Sequence, residues 1–212
     1  MKSGSALVVF IVDASGSMSN RQGEVNQSIN SALKTHRETP GEAIITLYQF
    51  DDKVKKLIDF KNVNEVSDFE YQCEGMTALY DAIGTAIDEI GLKLSLMSED
   101  ERPEQVQIMI ITDGGENSSR RYSSSKVSEM VKHQTSKYSW IFTYLGSNQD
   151  AIFTGATLGI AAAHCANYSD NNLSKTVNMV SSKMAFARCA TNSMDAFASM
   201  EYSALERESL VN

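Results

Sequence analysis

The chain has 212 residues, 42% of them apolar and 22% charged, an ordinary globular balance that suits one domain with a sizeable core. Its formal net charge of −8, with no dense basic block to offset it, argues against a general nucleic-acid binder, which needs excess Lys and Arg to displace phosphate counterions. Three cysteines, Cys73, Cys165 and Cys189, show no Cys-x-x-Cys spacing, so neither a disulfide scaffold nor a thiolate zinc knot is suggested and a reducing, cytoplasmic setting is expected.

Residues 7–12 form a continuous apolar run, as expected of a strand covered on both faces in a parallel sheet. The run is only marginally long enough for a signal peptide and leads straight into Asp13. Val25, Ile29, Ala32 and Leu33 then mark one helical face. Residues 44–48 read as a second strand, and residues 54–60 as an antiparallel edge strand reached through a turn at Asp51 and Asp52.

The clearest helix carries Leu79, Ile83, Ala86, Ile87, Ile90 and Leu94 on one face. Pro103 helps to break the pattern before a strand at residues 106–111. A shorter helix marked by Val127, Met130 and Val131 follows, then a strand at residues 140–145. The small-residue segment 151–166 holds a short helix, with a final strand near residues 161–168. Asn172 is placed to cap a last helix whose face is Leu173, Val177, Val180, Met184 and Ala187. Residues 193–212 show no convincing face and read as a loose tail or a segment that orders with a partner. No run of about 18 apolar residues supports a membrane span.

This alternation predicts an α/β fold with a doubly wound, mostly parallel sheet, one antiparallel edge strand and helices on both faces. In such sheets ligands gather beyond the carboxyl ends of the strands. Polar residues collect there. Asp13, Ser15 and Ser17 follow the first strand, Asp113 follows the strand at 106–111, and Thr77 precedes the long helix. Together they offer two carboxylates and three hydroxyls, hard oxygen donors suited to Mg²⁺ or Mn²⁺. Ca²⁺ fits less well, because it gathers six to eight oxygens with more carboxylate and carbonyl donors. Two carboxylates balance one divalent cation, and the neutral hydroxyls leave the ion electrophilic toward an outside carboxylate.

At these residues the sequence resembles the von Willebrand factor A family and its metal-ion-dependent adhesion site. The pattern Asp-x-Ser-x-Ser, a separate Thr and a separate Asp falls on Asp13, Ser15, Ser17, Thr77 and Asp113. The surrounding contexts, and the segment 144–150, look like stand-alone bacterial and phage members. The resemblance spans about residues 5–190. It implies a Rossmann-like domain at 1–192, and the family offers no assignment for the C-terminal tail at 193–212. It also implies a protein-binding module in which an acidic side chain of the partner completes the metal shell, with Asp113 ligating directly or through water. The loops around Ser19, Gly75, Glu116 and Asn148 are then expected to supply specificity contacts.

Plainer readings exist for each piece. Asp13-x-Ser-x-Ser is also a polar strand-to-helix turn, Thr77 an N-cap, and Asp113 a turn residue before two glycines. His164 and Cys165 lie in an Ala-rich segment and are expected to pack. His36 and His133 stand in or near helix ends, where a cation is favoured. Glu116 reads as a solvated loop carboxylate, and Asp150 and Asn148 as rim candidates. The alternative function is a metal-dependent hydrolase or phosphoryl-transfer enzyme using the same cation, and a third reading is a structural subunit whose metal only fixes loops. A dehalogenase-like phosphotransferase requires a second Asp where this chain has Ser15, and the chain has no Gly-x-Ser-x-Gly, Gly-x-x-x-x-Gly-Lys or Gly-x-Gly-x-x-Gly motif. A non-enzymatic role is therefore expected.

Overall fold

The computed structural model describes residues 1–147, 150–169, 171–190 and 192–211. Six strands form one sheet: β1 (Lys2–Asp13), β2 (Glu42–Phe50), β3 (Val54–Asn62), β4 (Pro103–Thr112), β5 (Ile141–Ser147) and β6 (Cys165–Tyr168), in the spatial order β3-β2-β1-β4-β5-β6. Every neighbouring pair is parallel except β2 with β3. The helices are α1 (Gln22–Glu38), α2 (Leu79–Leu96), α3 (Ser124–Tyr138), α4 (Ala151–Thr157), α5 (Leu173–Arg188), α6 (Ser193–Ser199) and α7 (Ala204–Val211). None is long and apolar enough to cross a membrane.

The fully buried run in β1 serves two cores, because successive side chains of a strand point to opposite faces. Ala6, Val8, Phe10 and Val12 join the face covered by α1 and α5, with Val25, Ile29, Val177 and Val180. Leu7, Val9 and Ile11 join the face under α2 and α3, with Ile83, Ile87, Val127 and Val131. From β1 the chain moves outward through β2 and β3, then returns to β4 on the other side of β1. That reversal opens a crevice at the carboxyl ends of β1 and β4, where open α/β sheets bind ligands.

Some local expectations change. Asn172 occupies the N-cap position of α5, but its side chain does not cap; its amide donates to Ser169 Oγ (2.9 Å). Residues 193–211, without a readable face, form α6 and α7 held by contacts distant in sequence. Tyr202 N donates to Ala163 O (2.9 Å), Arg207 donates to the carbonyls of Ala162 and Cys165, and Lys183 pairs with Glu206 (2.9 Å). His164 and Cys165 are buried, and His164 Nε2 meets the Phe197 carbonyl at 3.1 Å.

His36 is not a helix-end cation. It is 1% exposed, Arg188 Nη1 stands 3.4 Å from its Nδ1, and its Nε2 has no partner. Burial pushes its pKa down to about 3, with the Arg188 charge adding to the effect. Arg188 supplies the cation at the end of α1 instead. Native His36 therefore stays neutral while the unfolded chain gains a proton below about pH 6.5, so its contribution to stability is lost as the pH falls toward 3. Between about pH 7 and about pH 4.5 that loss amounts to roughly 2–3 kcal/mol. Urea melts across this window should show it, and His36→Gln, which keeps an acceptor for Arg188, should flatten the slope; equal slopes would refute the assignment.

Candidate metal centre

Asp13 is the last residue of β1 and is fully buried. Its Oδ1 accepts from Ser15 N (2.8 Å) and its Oδ2 from Thr112 Oγ1 (2.5 Å), so the turn after β1 and the end of β4 fix the carboxylate. Ser15 Oγ and Ser17 Oγ are 3.0 Å apart, and Ser17 Oγ donates to Asp113 Oδ1 at 2.5 Å. A Cβ on Gly114 would lie 3.4 Å from Thr77 Oγ1 and 3.8 Å from Ser17 Oγ, so those two hydroxyls flank one backbone position. The structure thus brings Asp13, Ser15, Ser17, Thr77 and Asp113 to one locus at the crevice.

The donor set suits a hard cation. Burial pushes the Asp13 carboxyl up to about 6, against the lowering effect of its Thr112 and Ser15 hydrogen bonds, and Asp113 adds a like charge. Among the described residues, neither Asp13 nor Asp113 has a Lys, Arg or His partner. A buried carboxylate without a counter-ion is costly, and a bound divalent ion would remove that cost. No three His, Cys, Asp or Glu side chains cluster among the described residues, which leaves two carboxylates and hydroxyls as the donors.

Thr77 is not the N-cap of α2; Ala78 holds that position and its side chain cannot cap. The loop after β4 does the work instead. Asn117 grips Thr77 on both sides, its Oδ1 accepting from Thr77 N (2.8 Å) and its N donating to Thr77 O (3.0 Å). Glu116, expected to be solvated, accepts from Tyr80 N at 3.0 Å and from Ser118 N and Ser119 N, placing a carboxylate at the positive end of α2. Asp81 on the first turn of α2 accepts from the backbone N–H groups of Arg120, Arg121 and Tyr122. The Tyr122 ring lies over Gly84, where a Cβ would come within 2.5 Å of it. The segments carrying Thr77 and Asp113 are thereby bound to each other.

Thr112, Glu116 and Asn117 were not assigned these roles from the sequence. Thr112 was within reach, as a hydroxyl residue beside Asp113 at a strand end, but the Asn117 contact spans 40 residues and leaves no local signal. Asp150, a rim candidate, caps α4 by accepting from Phe153 N (3.0 Å). Ser19 donates its hydroxyl to the Gly16 carbonyl. Asn148 lies outside the described residues.

The Asp13–Ser17 turn is braced from the loop before α2. Ala14 N donates to Phe50 O (2.7 Å), Glu74 N to Ala14 O (2.9 Å) and Gly16 N to Gly75 O (3.1 Å). Gly75 has φ +73°, and a Cβ there would lie 2.7 Å from Asp52 Oδ1. Gly75→Ala should therefore cost about 1–3 kcal/mol and weaken cation binding. Gly16→Ala, whose Cβ meets only the Gly75 carbonyl at 3.5 Å, should be tolerated. Thermal melts of the two variants check the contrast, and equal losses would contradict it.

Comparison with known proteins agrees with this architecture. The family profile described as von Willebrand factor type A domain matches residues 8–116, just over half of the chain. No curated protein matches the sequence significantly. Similar solved structures include the ArnB paralog VWA2 from Sulfolobus acidocaldarius, at 17% identity and TM-score 0.57, covering 86% of this chain and 45% of that one. Proximal thread matrix protein 1 from the mussel byssus, solved with a zinc-occupied MIDAS motif, is similar at 18% identity and TM-score 0.58, covering 86% of this chain and 46% of that one. A von Willebrand factor type A protein from Catenulispora acidiphila is similar at 12% identity and TM-score 0.57, covering 84% and 42%. The chain spans less than half the length of these solved chains, and at such identities the likeness shows the fold alone. With the profile match over residues 8–116 and the likeness of fold, the chain belongs to the von Willebrand factor type A domain family, which commonly mediates metal-dependent protein interaction.

Proposed function

We propose that the chain is a metal-dependent protein-binding module in which Asp13, Ser15, Ser17, Thr77 and Asp113 hold Mg²⁺ or Mn²⁺ and a partner's Asp or Glu completes the shell. The observation that supports the reading is the convergence of these five side chains, whose two carboxylates have no cationic partner among the described residues. Three neutral hydroxyls leave the ion short of oxygen donors and electrophilic, which suits capture of an outside carboxylate. The role is recruitment without catalysis. The apolar side chain of Met76, 51% exposed beside Thr77, offers contact area on the same rim.

Isothermal titration of the metal-stripped chain with Mg²⁺, Mn²⁺ and Ca²⁺ tests the site. One equivalent of Mg²⁺ or Mn²⁺ should bind, with Ca²⁺ weaker, and Ser15→Ala and Thr77→Ala should each weaken binding. Failure of all three ions to bind, or indifference of both variants, would sink the reading.

A further inference from the structure

A pocket of about 480 Å³ opens beside the proposed metal site, between the amino end of α1, the carboxyl end of β2 and the loop before α2. Backbone hydrogen bonds tie it to the residues next to the candidate ligands. Phe50, next to Asp51 of the pocket, receives the hydrogen bond from Ala14 N; Glu74, also of the pocket, donates its N–H to Ala14 O; and Asp51 O accepts from Ala78 N, the residue after Thr77. A partner segment a few residues long spans both places, since an extended chain advances about 3.3–3.6 Å per residue.

Acceptors and carboxylates outnumber cations in its lining. Gln49 is 6% exposed and spends its side-chain N–H on the Gln72 carbonyl (3.2 Å), leaving its Oε1 without a donor among the described residues. Asp51, 5% exposed, uses Oδ1 to accept from Lys53 N (2.7 Å). The one cation among the described lining residues, Lys55, forms an ion pair with Asp51 Oδ2 at 3.8 Å, too long to be a hydrogen bond. Glu70 and Glu74 add two exposed carboxylates with no ion-pair partner among the described residues. Leu57, 44% exposed on β3, supplies an apolar wall. The Gln49 and Asp51 acceptors at the back, exposed carboxylates at the mouth and an aliphatic side wall suit a long side chain with an apolar stem and a cationic head.

We propose that this pocket receives a basic side chain, arginine best, from the same partner segment that presents its carboxylate to the metal. The proposal rests on the protein-binding reading above and deepens it: the recognised partner carries an acidic and a basic residue close together, the first supplying metal dependence and the second specificity. A guanidinium suits the array better than an ammonium because its donors diverge in a fixed plane and reach several acceptors at once. Gln49 and Asp51 are the specificity-determining groups at the back, and Glu70 and Glu74 draw the cation in.

The test uses the full chain, stripped of metal with EDTA, titrated with Nα-acetyl-arginine methylamide and followed by amide NMR shifts. The neutral citrulline analogue, nearly the same shape, is the control. The arginine derivative should shift the amides of Gln49, Asp51, Gln72 and Glu74 and bind in the millimolar range, with citrulline weaker. The double variant Glu70→Gln, Glu74→Gln, changed only at exposed positions, should lose roughly three- to tenfold in arginine affinity, as two partly screened charge pairs allow, while its spectrum away from the pocket stays unchanged. Equal binding of arginine and citrulline, arginine shifts located elsewhere, or an unaffected double variant would each overturn the proposal. Since no metal is present, the result is independent of the Mg²⁺ titration. Loss of the metal site with arginine binding retained removes only the metal reading, and the converse removes only the pocket.

Discussion

Asp13→Asn should abolish Mg²⁺ binding and yet leave the metal-free chain at least as stable as the wild type. The two effects have opposite signs because one carboxylate causes both. Asp13 is fully buried at the end of β1 with no cationic partner among the described residues, and burial, with the Asp113 charge and against its own hydrogen bonds, raises its pKa to about 6. An ionised carboxylate in that position opposes folding, whereas an amide of the same shape does not carry the desolvation penalty. Asparagine keeps Oδ1 as an acceptor for Ser15 N, so the turn to Ser17 retains its anchor. It loses the charge that would hold a divalent ion.

Binding to the native state alone raises stability by mass action, about 2.7 kcal/mol at a hundredfold excess of ion over its dissociation constant. For a chain of this size that corresponds to an increase of about 5–10 °C in Tm. Melting curves of both proteins with EDTA and with excess Mg²⁺ make the comparison. The wild type should respond and the variant should not, while in EDTA the variant should melt no lower. A variant that melts well below wild type in EDTA would mean that Asp13 is there to support the fold, and the case for a metal ligand would weaken accordingly.

Arg188→Met should be the most damaging single change away from the site, costing about 3–5 kcal/mol, the usual loss when one side of a buried charged network is removed. Arg188 is 2% exposed, the largest fully buried side chain described. Its Nη2 donates to the carbonyls of Thr39 (2.8 Å), Pro40 (3.2 Å) and His36 (3.2 Å), and its Nε to Pro40 (3.3 Å). These carbonyls lie at and just past the end of α1, where the helix leaves acceptors unsatisfied and carries partial negative charge. Burial lowers the Arg188 pKa, yet guanidinium remains charged in proteins. Methionine fills much of the volume but strands those acceptors. Lysine keeps the charge without the planar fork and should rescue less than half of the loss. Chemical denaturation of the two variants decides the matter; a near-wild-type midpoint for Arg188→Met would show that the α1–α5 contact is held by its apolar face alone.

Much of this architecture is legible in the linear chain because it is periodic. The run at residues 7–12 and the face from Leu79 to Ile90 are each dictated by burial, and they appear as β1 and α2. The antiparallel edge strand is equally readable, since residues 54–60 include the β-formers Val54, Ile58 and Phe60 and follow a tight acidic turn. Contacts between distant segments are not periodic and leave no such trace. Nothing near His36 in sequence indicates that Arg188, 152 residues later, takes the helix-end role and leaves the histidine neutral. For the same reason α6 and α7 look structureless: their anchors are Tyr202 on Ala163, Arg207 on Cys165 and Lys183 on Glu206, pairs that only folding brings together.

The candidate site divides along the same line. Residue types and spacing alone single out the candidate donors, Asp13, Ser15, Ser17, Thr77 and Asp113, at strand ends and before a helix, because hard-oxygen chemistry and strand-end geometry are both local. Only the tertiary structure decided what surrounds them. It sets Thr112 on Asp13, Asn117 on Thr77 and Glu116 on the first turn of α2, and it opens the acceptor-lined pocket at Gln49 and Asp51 beside the turn. Those features arise where β1, β2 and β4 end together at the reversal of the sheet, and a meeting of chain segments so far apart is written in no single stretch of the sequence.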